Sequence, residues 1–272
     1  LRRIYTQTAT LDADNGAMYL GRPLWRSMGG AIRDLLRGKP GRVLDRAKVL
    51  LGKAQDPYTV HEAFMDLAAL CGGEAIINFL VAAKGEHDHA IDVRTPYMRH
   101  VVAQAGKRSK VGLHPGYASA DNPAQCAVEQ QLLEDVLGMP VDRSRQHFLR
   151  MRLPETYRQL AQLGIREEHS MGLADKAGFR AGTCTPFPFF DLGENAQTAL
   201  TVFPFAVMDS ALCYKLKLSP KEAVEEASRM ADAVRNVRGR FISVWHERFL
   251  SGYGDEQGWE VVAKAVLEHA RP

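Results

Sequence analysis

The chain has 272 residues, 46% of them hydrophobic and 25% charged, and a formal net charge of only +3. These ordinary globular values allow a sizeable core in one large domain or two small ones, and the dispersed basic residues give no reason to invoke nucleic acid. No apolar run reaches the ~20 residues of a membrane span, and four cysteines without a C-x-x-C pair exclude a disulfide scaffold.

The run RRIYTQTAT (2–10) reads as a β-strand that leads to Asp12 and Asp14. Helical patterns follow over Ala31–Leu36 and Arg42–Leu51. In TVHEAFMDLAALCGG (59–73), Thr59 and Glu62 have capping-box spacing, Phe64, Leu67, Ala68 and Cys71 share a face, and Gly72-Gly73 stop the helix. EAIINFLVA (74–82) is a short apolar run of the kind found in buried strands. A helix over 97–106, a strand KVGLHP (110–115), a helix over 124–138 and a strand RSRQHFLRM (143–151) come next. The basic stretch GKRSK (106–110) reads as a solvated face. PETYRQLAQLG (154–164) is a helix begun by Pro154 and ended by Gly164. IREEHSMG (165–172), GFRAGTC (178–184) and ALTVFPFAVMD (199–209) are strand candidates. Ser219, Pro220 and Glu222 open the best-signalled helix, striped by Val224, Ala227, Met230, Ala231 and Val234. GRFISVWHE (239–247) is the last strand and GWEVVAKAVLEHA (258–270) the last helix.

This alternation argues for an α/β fold with a parallel sheet. Seven or eight such units fit a distorted (β/α) TIM-like barrel. A doubly wound sheet is the alternative, but no G-x-G-x-x-G or P-loop follows a strand. No repeat or interdomain linker is visible, so a single catalytic domain over 1–272 is expected. The opening at Leu1 leaves room for a preceding segment. No signal peptide is visible, and a cytoplasmic location is the expectation.

The strands tend to end in residues with chemistry. Asp12 and Asp14 follow the first, and His114, His147, Arg180 and His246 lie at or near the ends of later ones. In parallel barrels those ends converge on one face. One carboxylate and two imidazoles can hold a divalent ion. Residues i and i+2 leave a strand on the same side, so Asp12 and Asp14 can enter one cavity. One can bind the metal while the other accepts a proton from water. Arg180 could hold the free carboxylate ionised, and His246 could protonate a leaving group.

These motifs resemble the polysaccharide-deacetylase family, the NodB-homology carbohydrate esterases. TLDAD is similar to the family's aspartate pair, GLHPGYAS to its histidine motif, GFRAGTCTPF to its arginine motif and ISVWH to its closing histidine motif. The run from Ser144 to Thr183 resembles a divergent branch found among bacterial surface-polysaccharide genes. The resemblance implies a distorted (β/α) barrel that uses a divalent metal, usually zinc, to remove an acyl group from a sugar. By position it makes Asp12 the general base, Asp14 and His114 metal ligands, Arg180 the group that orients Asp12, and His246 the general acid. The family's second histidine falls at Ala118, so His147 is substituted as third ligand. The proline-aromatic pair is displaced to Pro186-Phe187. Asp209 is assigned to tune His246, with Asp191 as the alternative.

The implied activity is removal of an N-acyl, chiefly acetyl, group from an amino sugar of a bacterial polysaccharide or its precursor. A non-catalytic glycan-binding barrel, motivated by Ala118, and a hydrolase of a small non-sugar amide stay open. Backbone N–H groups near Tyr117 would stabilise the oxyanion. His169 could be a spare ligand or substrate contact, and Trp245 with Phe189–Phe190 could form a sugar-binding wall or pack in the core. His87-Asp88-His89 reads as a polar loop, a metal cluster being the alternative. Cys184 with His246 could form a thiol-hydrolase pair. His61 and His100 read as surface residues on helices.

Overall fold

A computed structural model describes residues 3–272. Arg2, part of the expected first strand, lies outside the described residues. The strands are β1 (Thr6–Ala13), β2 (Glu74–Val81), β3 (Lys110–Pro115), β4 (Arg143–Ser144), β5 (Glu167–Glu168), β6 (Phe187–Asp191), β7 (Ala196–Val202), β8 (Val207–Met208) and β9 (Arg240–His246). The helices are α1 (Leu24–Leu36), α2 (Pro40–Leu50), α3 (His61–Leu70), α4 (Pro96–Arg108), α5 (Pro123–Leu137), α6 (Glu155–Gln162), α7 (Pro220–Asn236), α8 (Glu247–Ser251) and α9 (Glu260–His269). No helix among the described residues is long and apolar enough to cross a membrane.

The sheet order is β6-β7-β5-β4-β3-β2-β1-β9-β8, parallel throughout except for the β6–β7 hairpin. The run ALTVFPFAVMD (199–209) contains the end of β7 and all of β8. Along it, the Phe203 and Phe205 N–H groups donate to the Glu168 and Met171 carbonyls, and the Ala206 N–H donates to the Ile242 carbonyl. The run thus passes from β5 to β9 and wraps the sheet into a distorted barrel. Its staves are β1 to β5, the β7–β8 run and β9.

Side chains alternate across this wall. Ala9, Leu11, Ile77, Phe79, Val111, Leu113, Phe241 and Trp245 face outward into one apolar cluster with the helices. The opposite parity carries Thr10, Asp12, Asn78, His114, Val244 and His246 to the interior. Register aligns Asp12 with Asn78 and with His246, and Asn78 with Gly112. Gly112 is required there, because a Cβ would lie 2.3 Å from the Asn78 Oδ1.

The capping box of α7 forms as its sequence predicts: the Glu222 carboxylate accepts from the Ser219 N–H at 2.8 Å, and Ser219 Oγ accepts from the Glu222 N–H at 3.4 Å. That of α3 does not. Its first residue follows Val60, and Thr59 Oγ1 lies 3.5 Å from the Tyr97 hydroxyl instead. The expected strands at 143–151 and 165–172 shrink to two residues each, and GFRAGTC forms turns.

Candidate active site

Asp12 ends β1 inside the barrel. Its Oδ1 accepts from Asn78 Nδ2 at 2.9 Å and from Arg145 Nη1 at 3.1 Å, and its Oδ2 lies 4.0 Å from His246 Nε2. Burial alone would raise its pKa, but Arg145, His114 and His246 outweigh it and hold the carboxyl below the ordinary carboxylate value. Arg145 is fully buried and also donates to Thr10 Oγ1 at 2.6 Å and to the His169 carbonyl at 3.0 Å. It occupies the position expected of Arg180. Arg180 is exposed and lies on a turn, because GFRAGTC never enters the barrel wall.

Asp14 enters the same cavity two residues on. Its Oδ2 accepts from Arg248 Nη2 at 2.9 Å. Its Oδ1 is buried without a hydrogen-bond partner, 3.5 Å from His114 Nε2 and 3.8 Å from His147 Nε2. Burial opposes its charge, and the neighbouring histidines outweigh burial and lower its pKa. His114 donates Nδ1–H to the Arg145 carbonyl at 2.5 Å, and His147 donates Nδ1–H to Asp88 Oδ1 at 2.9 Å. A carbonyl can only accept, and the Asp88 carboxylate does the same for His147, so both Nε2 atoms turn toward Asp14. Burial, added to the nearby His114, takes the His147 pKa down to about 4. Burial also disfavours a charged His114, but Asp12 and Asp14 prevail and raise it.

One ligand atom from each of Asp14, His114 and His147 lies within 4.8 Å of the others. An orphaned carboxylate oxygen facing two imidazole nitrogens, each oriented from behind by an acceptor, fits a divalent cation. His147 supplies the donor that Ala118, exposed on its turn, cannot. Beyond His147, Phe148 and Leu149 take φ values of 57° and 52°, unusual for residues with a Cβ, and the Phe148 ring packs at a tilt on that of His147, their centroids 4.5 Å apart.

His246 ends β9. Asp209 accepts both its Nδ1–H and its backbone N–H at 2.6 Å. Burial disfavours the imidazolium, yet Asp209, Asp14 and Asp12 raise it to about 9. Asp191, the alternative partner, pairs with Arg158. The next residue, Glu247, is buried and accepts from the Asn15 and Gly16 N–H groups at 2.9 and 2.8 Å and from His61 at 3.0 Å. It ties the loop after Asp14 to the last strand. His61 is therefore a buried anchor rather than a surface residue, whereas His100 is exposed.

Several expected contacts do not form. The Tyr117 N–H donates to Asp88 at 3.1 Å and is not free for an oxyanion. Trp245 is 1% exposed in the outer core, where its Nε1–H donates to Ser243 Oγ. His169 is buried against Phe203 with its Nε2 3.5 Å from Glu167 Oε2, and its pKa falls to about 4 through burial. It lies outside the Asp14–His114–His147 cluster and does not line the cleft beside it. Phe189 packs on Tyr157. Cys184 sits beside Gly239, at the opposite end of β9 from His246. His87 and His89 are exposed, and only Asp88 of that trio reaches the cluster, through His147. Asp88, Arg145, Asn78 and Arg248 are contributors that sequence reasoning missed. The spacing Arg143, Arg145, His147 held a usable signal, since i and i+2 share a face.

The cluster opens into a cleft of about 430 Å³ lined by Asp14, Tyr58, His147, Phe148, Arg248 and Tyr253 among others. The whole is thus an α/β barrel with a candidate metal centre where its strands end. No protein-family model and no curated protein matches the sequence. Among solved structures, the chain is similar to a protein described as a polysaccharide deacetylase from Mycobacterium smegmatis, with a TM-score of 0.57 and 14% identity over 97% of this chain and 84% of that one. It also aligns with a 4-alpha-glucanotransferase from Thermococcus litoralis (TM-score 0.49, 15% identity, 99% of this chain and 37% of that one). A polysaccharide deacetylase from Bacillus cereus gives 0.45 and 10% over 98% and 86%. The first of these alignments shows that the chain shares the α/β barrel fold of the Mycobacterium smegmatis protein.

Proposed function

We propose that the protein is a metal-dependent hydrolase that removes an N-acyl group from an amino sugar. The observation that carries the reading is the set of three converging donors, Asp14, His114 and His147, flanked by an ionised carboxylate and a charged imidazole. A divalent ion, with zinc the first candidate, would polarise the acyl carbonyl and acidify water. Asp12 is kept ionised by Arg145 and Asn78, and its Oδ2 is free to take a proton from the attacking water. His246 is charged at neutral pH and turns Nε2 toward Asp12 across the cavity, where it can protonate the departing amine. Arg248 holds Asp14 from the second oxygen and so fixes which oxygen faces the histidines. Phe148, exposed at the cleft, offers the aromatic face that Trp245 does not. Against the non-catalytic alternative, which rests on Ala118, stands the third donor that His147 offers beside Asp14 and His114.

The test is zinc content together with acetate release from an N-acetylated amino-sugar oligomer. Wild type should hold zinc and release acetate, and His114→Ala should lose both. Asp12→Asn should keep the metal and lose about 10²–10⁴-fold in rate. Equal, near-zero zinc in wild type and His114→Ala after supplementation would reject the metal centre. Near-normal turnover in Asp12→Asn would make Asp12 a structural carboxylate.

A further inference from the structure

A second cleft, of about 530 Å³, adjoins the first and shares Asn15, Met18, Arg42, Tyr58 and His89 with it. Its walls bring Arg22, Arg26, Arg33, Arg42, Arg46 and Lys84 together against one carboxylate, Asp34. Among the described residues only Arg46 of the six forms an ion pair, with Asp34 at 2.7 Å. Arg22 donates to the Met18 and Ala17 carbonyls at 3.1 Å, and burial plus the charge of Arg26 lower its pKa. The Nε atoms of Arg26 and Arg46 are buried with no hydrogen-bond partner. Helix α1 also carries Gly29-Gly30 in its interior, where glycine is unfavourable. A Cβ at Gly30 would lie 2.8 Å from the Arg46 guanidinium, so the glycine makes room for that cation.

Crowded, partly dehydrated cations with unused donors are costly alone and are offset by an anion. Guanidinium forks match the oxygens of phosphate. The walls of the metal cleft set Asp14, Glu86, Asp255 and Glu256 against Arg248 and the shared Arg42, so the excess of positive charge lies on the side of the arginine cleft. We infer, on the basis of the deacylase reading, that the arginine cleft binds a phosphoryl group carried by the N-acylated sugar. The substrate is then a sugar phosphate or diphosphate rather than a neutral glycan. The phosphate sits between α1 and α2 while the acyl group reaches Asp14. Leu24, Trp25, Met28 and Ile32 of α1 are 77%, 67%, 66% and 58% exposed. They make a lipid-borne phosphate the second source to test beside a soluble one.

Binding is measured by calorimetry, so the result does not depend on turnover. N-acetylglucosamine 1-phosphate should bind the zinc-supplemented protein at least roughly tenfold more tightly than N-acetylglucosamine, with a gap that narrows as salt is raised. Arg26→Gln combined with Arg33→Gln should remove most of that gap. Lys84→Gln, at an exposed position that leaves the fold intact, should remove part of it. His114→Ala should keep it. Equal or undetectable binding of both sugars overturns the proposal. So does a gap that survives in the arginine variant and vanishes in His114→Ala, because the phosphate would then sit on the metal. The same headgroup esterified to a polyprenol in phosphatidylcholine vesicles separates the sources. Tighter capture than in solution assigns a lipid-borne phosphate, and no gain assigns a soluble one. Loss of acetate release with the phosphate preference intact would reject the hydrolase reading alone.

Discussion

Replacing Asp209 with asparagine should disable His246 as an acid without emptying the metal cluster. Asp209 takes the imidazole Nδ1–H and the backbone N–H of His246, each at 2.6 Å. Asparagine is isosteric but carries no charge, so the imidazolium loses its main partner. Burial works against the cation, and the surrounding carboxylates still move it from 6.5 to about 9, a preference for the charged form of roughly 3 kcal/mol. If Asp209 supplies most of this, the His246 pKa in Asp209→Asn falls to its ordinary value or below. At pH 8 the protonated fraction then drops about thirtyfold. The assay is kcat/KM against pH for an N-acetylated amino sugar and for an activated aryl ester. The alkaline limb of the amide profile should move down in the variant. The ester should lose far less, because its leaving group departs without a proton. A bound cation shifts wild type and variant alike, so the comparison stands. Stability has the same sign. A raised histidine pKa stabilises the fold fully below about 6.5, and that contribution is lost as pH rises through about 9. The gap in melting temperature between the two proteins should therefore narrow over that window. An unmoved alkaline limb with equal losses on amide and ester would refute the acid role.

Arg145→Met should lower the urea midpoint by an amount worth about 3–5 kcal/mol, since it removes the guanidinium that donates to buried Asp12 and leaves only Asn78 and the more distant His114 and His246 to meet its charge. Arg180→Met, at an exposed turn, should stay within about 0.5 kcal/mol of wild type. Equal midpoints for the two variants would deny Arg145 its place as the Asp12 counter-ion. Asp88→Asn should weaken zinc affinity about 10–100-fold in a chelator competition, because His147 loses the group that orients it. Unchanged affinity would limit Asp88 to holding the Tyr117 N–H.

Much of the architecture was legible in local patterns, because their causes are local. β2 is buried on both faces and reads as one apolar run, while α7 announces itself by the Ser219 box and its small-residue stripe. ALTVFPFAVMD reads as a single strand, and in the barrel it is one stave with a break at Phe203–Ala206. The i, i+2 spacing alone puts Asp12 and Asp14 in one cavity, and alternation within β9 implies that Trp245 and His246 face opposite ways. Partner choice was a different matter. Arg145 and Arg180 stand in equally plausible strand-like contexts, and only closure of the barrel decides which guanidinium reaches Asp12, 133 residues away. The same holds for Asp88 with His147, for Glu247 with His61 and for the arginines gathered from α1 and α2. A buried charge is tolerated where another group meets it in space, and such meetings depend on how the staves and helices pack, which no local window of sequence encodes.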